Sequence, residues 1–227
     1  MKRIILFIPL ILAFIASISY AQDSEGLSFG IRAGVNFQNI NGKDAEKNTL
    51  ENSLTPGFHV GMNVEIPLAP EFYFQPGLLF STKGSKKKET ILSATFTHQA
   101  TLSYLELPLN FVYKPLLGTG HLILGFGPYL GYAISGKSKY ELAGIQVEDN
   151  MTFQSTVQTS DPYNLQNFKA FDAGANILFG YELTNNLSFQ LNAQYGLVKI
   201  NSEDGSVSND PSIAKNTGFG VSAGYRF

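Results

Sequence analysis

Six ionisable residues occupy positions from which they could form ion pairs within a confined interior. Each lies in an alternating stretch, on the side otherwise made of glycine and mostly small or polar residues: Arg32, Glu65, Glu106, Asp172, Glu182 and Arg226. An unpaired charge in such an interior is costly, so opposite charges placed there are expected to pair. We predict a structural ionic network in which the two arginines pair with the acidic residues. A path for protons or ions through the same residues is the alternative.

A run of lysines could bind phosphate groups. Four of them lie in a stretch that we predict to be a loop between two strands: Lys83, Lys86, Lys87 and Lys88. Ammonium groups clustered at a loop tip suit the phosphates of lipopolysaccharide headgroups. An ordinary solvated charged loop is the alternative.

The histidines do not form a recognisable metal-binding motif. His59, His98 and His121 lack the short spacing that is typical of zinc ligands, and the chain has no cysteine. We therefore predict no metal among these residues.

The acidic residues and the known catalytic patterns give no enzymatic site either. Glu203, Asp204 and Asp210 could hold a divalent ion only weakly, because their spacing does not match an EF-hand loop. No GxSxG, Walker or HExxH pattern occurs. We predict a protein without a cofactor that is not an enzyme. The enzymatic alternative is a Ser–His pair at the rim of the fold.

The elements that must position these residues are β-strands. The clearest is the last, 217–227, in which five apolar residues share one face: Phe219, Val221, Ala223, Tyr225 and Phe227. Its other face is glycine, serine and Arg226. Successive side chains of a strand point to opposite faces, so this alternation indicates one apolar and one small, polar side.

Eight such strands follow one another along the chain. They are predicted at 27–37, 58–66, 71–82, 100–113, 121–134, 168–182, 187–197 and 217–227. Each is near or above the ~9–11 residues that a tilted strand needs to cross a bilayer. The intervening connections alternate between long and short. One short connection, 67–70, contains two prolines and is predicted to be a tight turn, and Pro76 predicts a bulge or kink within the third strand.

The N-terminal segment is predicted to be a signal peptide. Residues 1–21 carry two basic residues directly after Met1, continue with an apolar run, and end in small residues before a cleavage site. The barrel domain would then be 22–227. The formal net charge of −2 argues against a nucleic-acid partner.

Together these patterns predict an all-β fold, an eight-stranded antiparallel up-and-down transmembrane β-barrel in the cell outer membrane. Short periplasmic turns and longer extracellular loops account for the alternating connections. Ionisable residues on the glycine-rich side make sense if the apolar side meets lipid. The aromatic end of the chain, Tyr225 and Phe227, resembles the signal read by the barrel assembly machinery, which we expect to be a partner.

Several segments resemble the outer-membrane β-barrel family common in Bacteroidetes, which is often called porin-like or PorT-like. They are 26–37, 75–84, 104–109, 127–131 and 193–197. The resemblance covers essentially the whole mature chain, but its motifs are strand patterns. It implies the architecture, and it leaves open an accessory role in an outer-membrane secretion or transport machine, because the family includes a component linked to type IX secretion.

The predicted function follows from the width of the barrel. An eight-stranded barrel is just wide enough for its own side chains, so we expect a lumen plugged by side chains. We predict a structural or interaction role through the extracellular loops, the third of which, 135–167, is long enough to cover the mouth. Expected partners are outer-membrane lipid and lipopolysaccharide; a secretion-complex protein is the alternative.

Overall fold

The computed structural model describes residues 26–91, 94–142, 144–157, 167–205 and 210–227. The predicted signal peptide, 1–21, lies outside these residues. Eight long strands make the fold: β1 (Ser28–Lys43), β2 (Thr55–Ala69), β3 (Phe72–Ile91), β4 (Ala94–Tyr113), β5 (Gly120–Leu142), β6 (Phe171–Glu182), β7 (Leu187–Gly196) and β8 (Ile213–Arg226). Short strands cover Leu116–Leu117, Ile145–Asn150, Thr152–Phe153, Thr156–Val157, Asn167–Phe168 and Glu203–Asp204.

The eight long strands close into a ring. Each pairs antiparallel with its neighbours in sequence, and β8 pairs with β1 from Gly30 opposite Arg226 to Lys43 opposite Ile213. Closure leaves no free edge along the wall, which is the condition for strands to cross a bilayer. The predicted eight-stranded up-and-down barrel is confirmed. In the part of the chain that the structure describes, no helix is long and apolar enough to cross a membrane.

The side chains alternate between the two sides of the wall as predicted. On β8, Phe219 and Val221 face outward and are 48% and 45% exposed, whereas Ser222 between the outward positions is 4% exposed. On β4, Phe111 is 47% exposed and Glu106 is 1% exposed. Apolar side chains therefore cover the outside of the barrel, and polar side chains fill its interior.

Aromatic residues border the apolar band at both ends. At the long-loop end, Phe37 packs on Phe219 with ring centroids 5.5 Å apart. At the short-turn end, Phe72 stacks on Tyr113 at 4.6 Å, and Tyr225 meets the ring of Phe227 edge-on at 5.0 Å. Such girdles are typical of the two interfaces of a membrane barrel. Since the chain has no tryptophan, phenylalanine and tyrosine supply them.

The strands extend further at the long-loop end than the sequence predicted. β3 and β4 pair continuously until Ile91 lies opposite Ala94, through the segment 83–96 that was expected to be a loop. The lysines expected in that loop are therefore strand residues. The physical reason is that no glycine or proline interrupts 85–101, so nothing in the backbone stops the ladder when the side chains become polar.

The prediction for the first short connection is also corrected. β2 continues through Pro67 to Ala69, and the turn lies at Pro70 and Glu71, where Glu71 has a positive φ of 65°. The register shifts between Pro67 and Ala69, which accommodates the missing N–H of Pro67 at the strand end. The register with β4 is the same at Pro76 and at Leu79, so the bulge expected there is not present. The ladders are interrupted beside Pro76, since Gln75 and Pro76 have no partner on β2, and whether the strand kinks there stays a prediction.

The described parts of the chain between β5 and β6, 144–157 and 167–170, fold back over the long-loop end. After Leu142 the chain returns as Ile145–Asn150, which pairs with β5. Thr152–Phe153 then pairs with Asn167–Phe168, and Thr156–Val157 pairs with Glu203–Asp204 from the last loop. These pairings bind two long loops to each other across the barrel opening.

Apolar side chains close this opening from the inside. We call them the mouth cluster, and its buried members are Ile40, Ala100, Leu102, Tyr104, Ala133, Met151, Phe168, Ile200 and Ala214. Met151, Phe168 and Ile200 come from the loops, and the other members come from the outer ends of the strands. The interior is therefore capped by a small hydrophobic core at its long-loop end.

The outward apolar band gives a depth-dependent prediction. Val221→Lys places a charge within the band and should lower the free energy of unfolding by about 2–4 kcal/mol. Thr217→Lys, on the same face of β8 near its outer end, should cost about 0–1 kcal/mol. Urea unfolding in lipid bilayers measures both, and equal costs would contradict the assigned band.

Candidate functional site

The narrow interior is arranged by pairing bulky side chains with glycines. Tyr129 lies opposite Gly174, and Glu106 lies opposite Gly131. A Cβ atom at Gly174 would lie 2.7 Å from Cε1 of Tyr129, closer than real contacts allow. The inward glycines therefore leave the room that the large polar side chains on the neighbouring strands occupy.

A central ion cluster lies beneath the mouth cluster, and we define it as Arg32, Lys83, Glu106 and Asp172. The ammonium group of Lys83 lies 2.8 Å from Oε1 of Glu106 and 3.2 Å from Oδ2 of Asp172. All three side chains are 0–1% exposed. Such a group is stable only when its charges are paired and its hydrogen bonds are satisfied.

Neutral side chains complete the central ion cluster. The Tyr129 hydroxyl donates to Oδ2 of Asp172 at 3.2 Å, and the amide of Asn216 donates to the same oxygen at 2.9 Å. Gln194 donates to Oε2 of Glu106 at 3.0 Å. The Lys83 ammonium also lies 4.2 Å from the centre of the Tyr129 ring, within cation–π range.

Arg32 does not form the direct ion pair that the sequence predicted. Its Nε has no hydrogen-bond partner, and within the described part of the chain no carboxylate lies within 4.0 Å of it. Arg32 and Glu106 instead line the same water-sized cavity of about 20 Å³. The reason is that Lys83, which the prediction placed elsewhere, occupies the position next to Glu106.

An end ion cluster lies at the short-turn end, and we define it as Glu65, Lys114, Glu182 and Arg226. Lys114 donates to Oε2 of Glu65 at 3.0 Å and to Oε2 of Glu182 at 2.7 Å. Arg226 donates to Oε1 of Glu182 through Nε and Nη2 at 3.0 and 2.8 Å. The predicted pairing of Arg226 with an acidic residue is thus present in the structure.

Two lysines balance the charge of the interior, and the sequence analysis did not place either of them there. The predicted set held four carboxylates but only two arginines; Lys83 and Lys114 bring the cations of the two ion clusters to four. The signal was available, because Lys83 continues the inward series of β3 after Gln75 and Ser81. Lys114 likewise follows the inward face of β4.

The space left in the interior is uneven. Besides the cavity beside Arg32, a second one of about 20 Å³ lies between the two ion clusters, lined by Asn63 and Gln190 among others. Each has room for about one water molecule. At the short-turn end, a cavity of about 350 Å³ opens beside Lys114, His121 and Arg226.

The structure separates the predicted phosphate-binding lysines. Lys83 is buried in the central ion cluster and is removed from that set, because its side chain is 0% exposed. Lys86 is half-buried, and Lys87 and Lys88 are exposed, all three on the outer part of β3. Lys87 makes an exposed ion pair with Glu89.

The remaining candidates fall into separate local contacts. His98 lies 2.8 Å from the Ser138 hydroxyl at the outer end of the barrel wall, and Ser138 is buried, at 1% exposed. The ammonium of Lys169 hydrogen-bonds Glu203 and holds the pKa of Glu203 below its ordinary value. Over the ranges that the structure covers, no group of three or more histidine or acidic residues could hold a metal ion.

The aromatic end of the chain lies on the outer surface. Tyr225 and Phe227 are exposed to the lipid side, and the N–H of Phe227 donates to the carbonyl of Phe29 at 2.8 Å. Their role as an assembly signal stays a prediction.

The closed antiparallel ring, its outward apolar band and its charged interior define a small β-barrel of the outer membrane. The chain belongs to the outer membrane protein β-barrel domain family, whose model matches residues 20–202. The predicted location in the outer membrane is confirmed by this membership.

Solved structures with a similar chain course share little sequence with this protein. Ail, the attachment invasion locus protein of Yersinia pestis, is 14% identical with a TM-score of 0.38, over 88% of this chain and 99% of that chain. Neisserial surface protein A, from Neisseria, is 15% identical with a TM-score of 0.37, over 89% and 98%. A major outer membrane protein from Thermus thermophilus is 16% identical with a TM-score of 0.45, over 89% and 100%. No curated protein matches the sequence.

The central ion cluster gives a matched pair of predictions. Lys83→Met leaves Glu106 and Asp172 as two buried carboxylates without their cation, and should lower the free energy of unfolding by about 3–5 kcal/mol. Lys87→Met removes a half-exposed ion pair on the same strand and should cost about 0–1 kcal/mol. Urea unfolding in the same lipid compares them.

A compensated variant controls for loss of packing. Lys83→Met combined with Asp172→Asn removes one charge of each sign and leaves Arg32 with Glu106 across their shared cavity, so it should recover most of the lost stability. Equal stability of the Lys83→Met and Lys87→Met variants would show that the central ion cluster is not what holds the interior together.

Proposed function

We propose that this protein is a closed, non-conducting outer-membrane barrel that acts through its extracellular surface. It would bind a surface partner or lipid headgroups there, rather than pass solutes or catalyse a reaction. The observation that carries this proposal is the mouth cluster, which fills the long-loop end of the lumen with buried apolar side chains.

The rest of the lumen supports the same proposal. Below the mouth cluster, the buried ion pairs of Lys83 occupy the middle of the barrel. The cavity beside Glu106 and the one between the two ion clusters are both water-sized. A solute that entered from the short-turn end would have to break paired buried charges and then cross an apolar layer. Both steps are costly.

Chemistry at the rim receives no support from the geometry of the Ser–His pair. A nucleophile needs a hydroxyl that a substrate can approach and a base beside it. His98 is beside Ser138, but the burial of Ser138 leaves no room for a substrate. We therefore propose a binding role and no catalytic one.

A second candidate is an accessory role in an outer-membrane secretion or transport machine, as the resemblance to the Bacteroidetes PorT-like family implies. The observation that favours it is the cavity of about 350 Å³ at the short-turn end, beside His121 and Arg226. A periplasmic partner could reach this cavity. Co-purification with a large complex from outer membranes would favour this role. Purification as an isolated barrel would favour the binding role of the extracellular surface.

Conductance in planar lipid bilayers tests the proposed function. The purified protein should give no steady open-channel currents under conditions in which a general porin does, because the mouth cluster and the central ion cluster close the lumen. Glu106→Gln serves as the probe for currents that do pass through the lumen, and Glu148→Gln, exposed outside the wall, is its charge-matched control.

The outcomes separate a leaking preparation from a channel. Steady currents whose ion selectivity changes in Glu106→Gln, but not in Glu148→Gln, would overturn the closed-lumen proposal. Currents that neither substitution alters come from outside the lumen and agree with it.

A further inference from the structure

The lysines that point away from the barrel axis lie at one end only. On the strands these are Lys43, Lys86, Lys88, Lys137, Lys139 and Lys215, all at the long-loop end. Their direction follows from alternation: Lys137 and Lys215, for example, each stand between two buried neighbours. At the short-turn end, no lysine or arginine in the described strands faces outward.

Four of these lysines share one patch on the outer extension of β3, β4 and β5. Strand pairing places Lys86, Gln99 and Lys139 side by side in one row. Thr101 and Lys137 form the next row below, and Lys88 lies in the row above. We call Lys86, Lys88, Lys137 and Lys139 the outer lysine patch.

The patch lies just above the apolar band. On the face of β5 that carries Lys137 and Lys139, the last apolar residue is Ile134, which is 50% exposed. With a rise of ~3.3 Å per residue and a tilt of ~40°, Lys137 and Lys139 lie about 8 and 13 Å above it. The polar headgroup layer begins at the edge of the hydrocarbon and is about 5–8 Å thick. Long lysine stems can bend back toward that layer.

Carboxylates balance part of the charge in the patch, because Glu148 lies opposite Lys139 in the ladder and Glu141 shares the row of Lys88. Lys137 pairs with Glu148 of the neighbouring short strand. Among the described residues, Lys86, Lys88 and Lys139 make no ion pair within 4.0 Å. Three ammonium groups thus remain available on a surface that faces the surrounding lipid rather than the barrel mouth.

We propose that the outer lysine patch binds the phosphate groups of a lipid in the outer leaflet, of the lipopolysaccharide type. Lys86 and Lys139 hold one phosphate from both sides of Gln99, whose amide can donate to it, while the acyl chains lie along the apolar band. This proposal rests on the proposed role of the extracellular surface, and it names the ligand chemistry of that surface.

The test compares two double variants with the same change of charge. Lys86→Gln with Lys139→Gln removes the central row of the patch. The control, Lys47→Gln with Lys87→Gln, changes a loop lysine and a lysine on the opposite face of β3. Native mass spectrometry of the detergent-purified full-length barrel, titrated with diphosphoryl lipid A, measures the affinity.

The expected loss is about fivefold per lysine, so about 25-fold for the patch variant and less than twofold for the control. Dephosphorylated lipid A should bind the wild-type protein as weakly as lipid A binds the patch variant. Similar affinities of the two variants, or equal binding of dephosphorylated lipid A, would overturn the proposal. Displacement of lipid A by millimolar inorganic phosphate would also overturn it, since the lipid would then add nothing.

The two proposals fail in different experiments. A conducting wild-type barrel contradicts the closed lumen and leaves the lipid A affinities as they are. Loss of the difference between the two double variants contradicts the outer lysine patch and leaves the conductance unchanged.

Discussion

The closed hydrogen-bonded ring is the constraint on which the rest of this structure depends. A wall that meets lipid cannot leave backbone N–H and C=O groups unpaired, and the ladder between β8 and β1 removes the last free edge. Once the wall is closed, alternation gives each strand one side toward lipid and one toward a narrow interior. Outward residues such as Val221 then need only be apolar, and inward residues must fit together.

The interior meets that demand with compensated charge and with glycine. Lys83 satisfies two carboxylates, and Tyr129 supports it because Gly174 leaves room for the ring. The mouth cluster then separates this polar interior from the extracellular side. A barrel built in this way has little room in its interior for a ligand. Its outer surface is therefore where we propose that it acts.

Much of this fold could be predicted from the sequence, because period-two alternation reports the two sides of a membrane wall directly. The eight strands and the outward face of β8 followed from it, and so did Glu106 and Asp172 as interior residues. The outer strand ends did not, because above the membrane both faces become polar and Lys86 looks like a loop residue. Lys83 was assigned to the same predicted loop, and its place in the interior was therefore missed. Met151 and Ile200 lie in irregular segments, where no periodicity indicates burial.

The account depends most directly on which side chains of the wall meet lipid. Because the chain has no cysteine, single cysteines at each of residues 219–224 can carry a spin label without competing sites. Collision rates with oxygen, which concentrates in lipid, should be high at 219, 221 and 223 and low at 220, 222 and 224. The opposite phase, or rates without alternation, would contradict the assignment of the apolar face to the membrane.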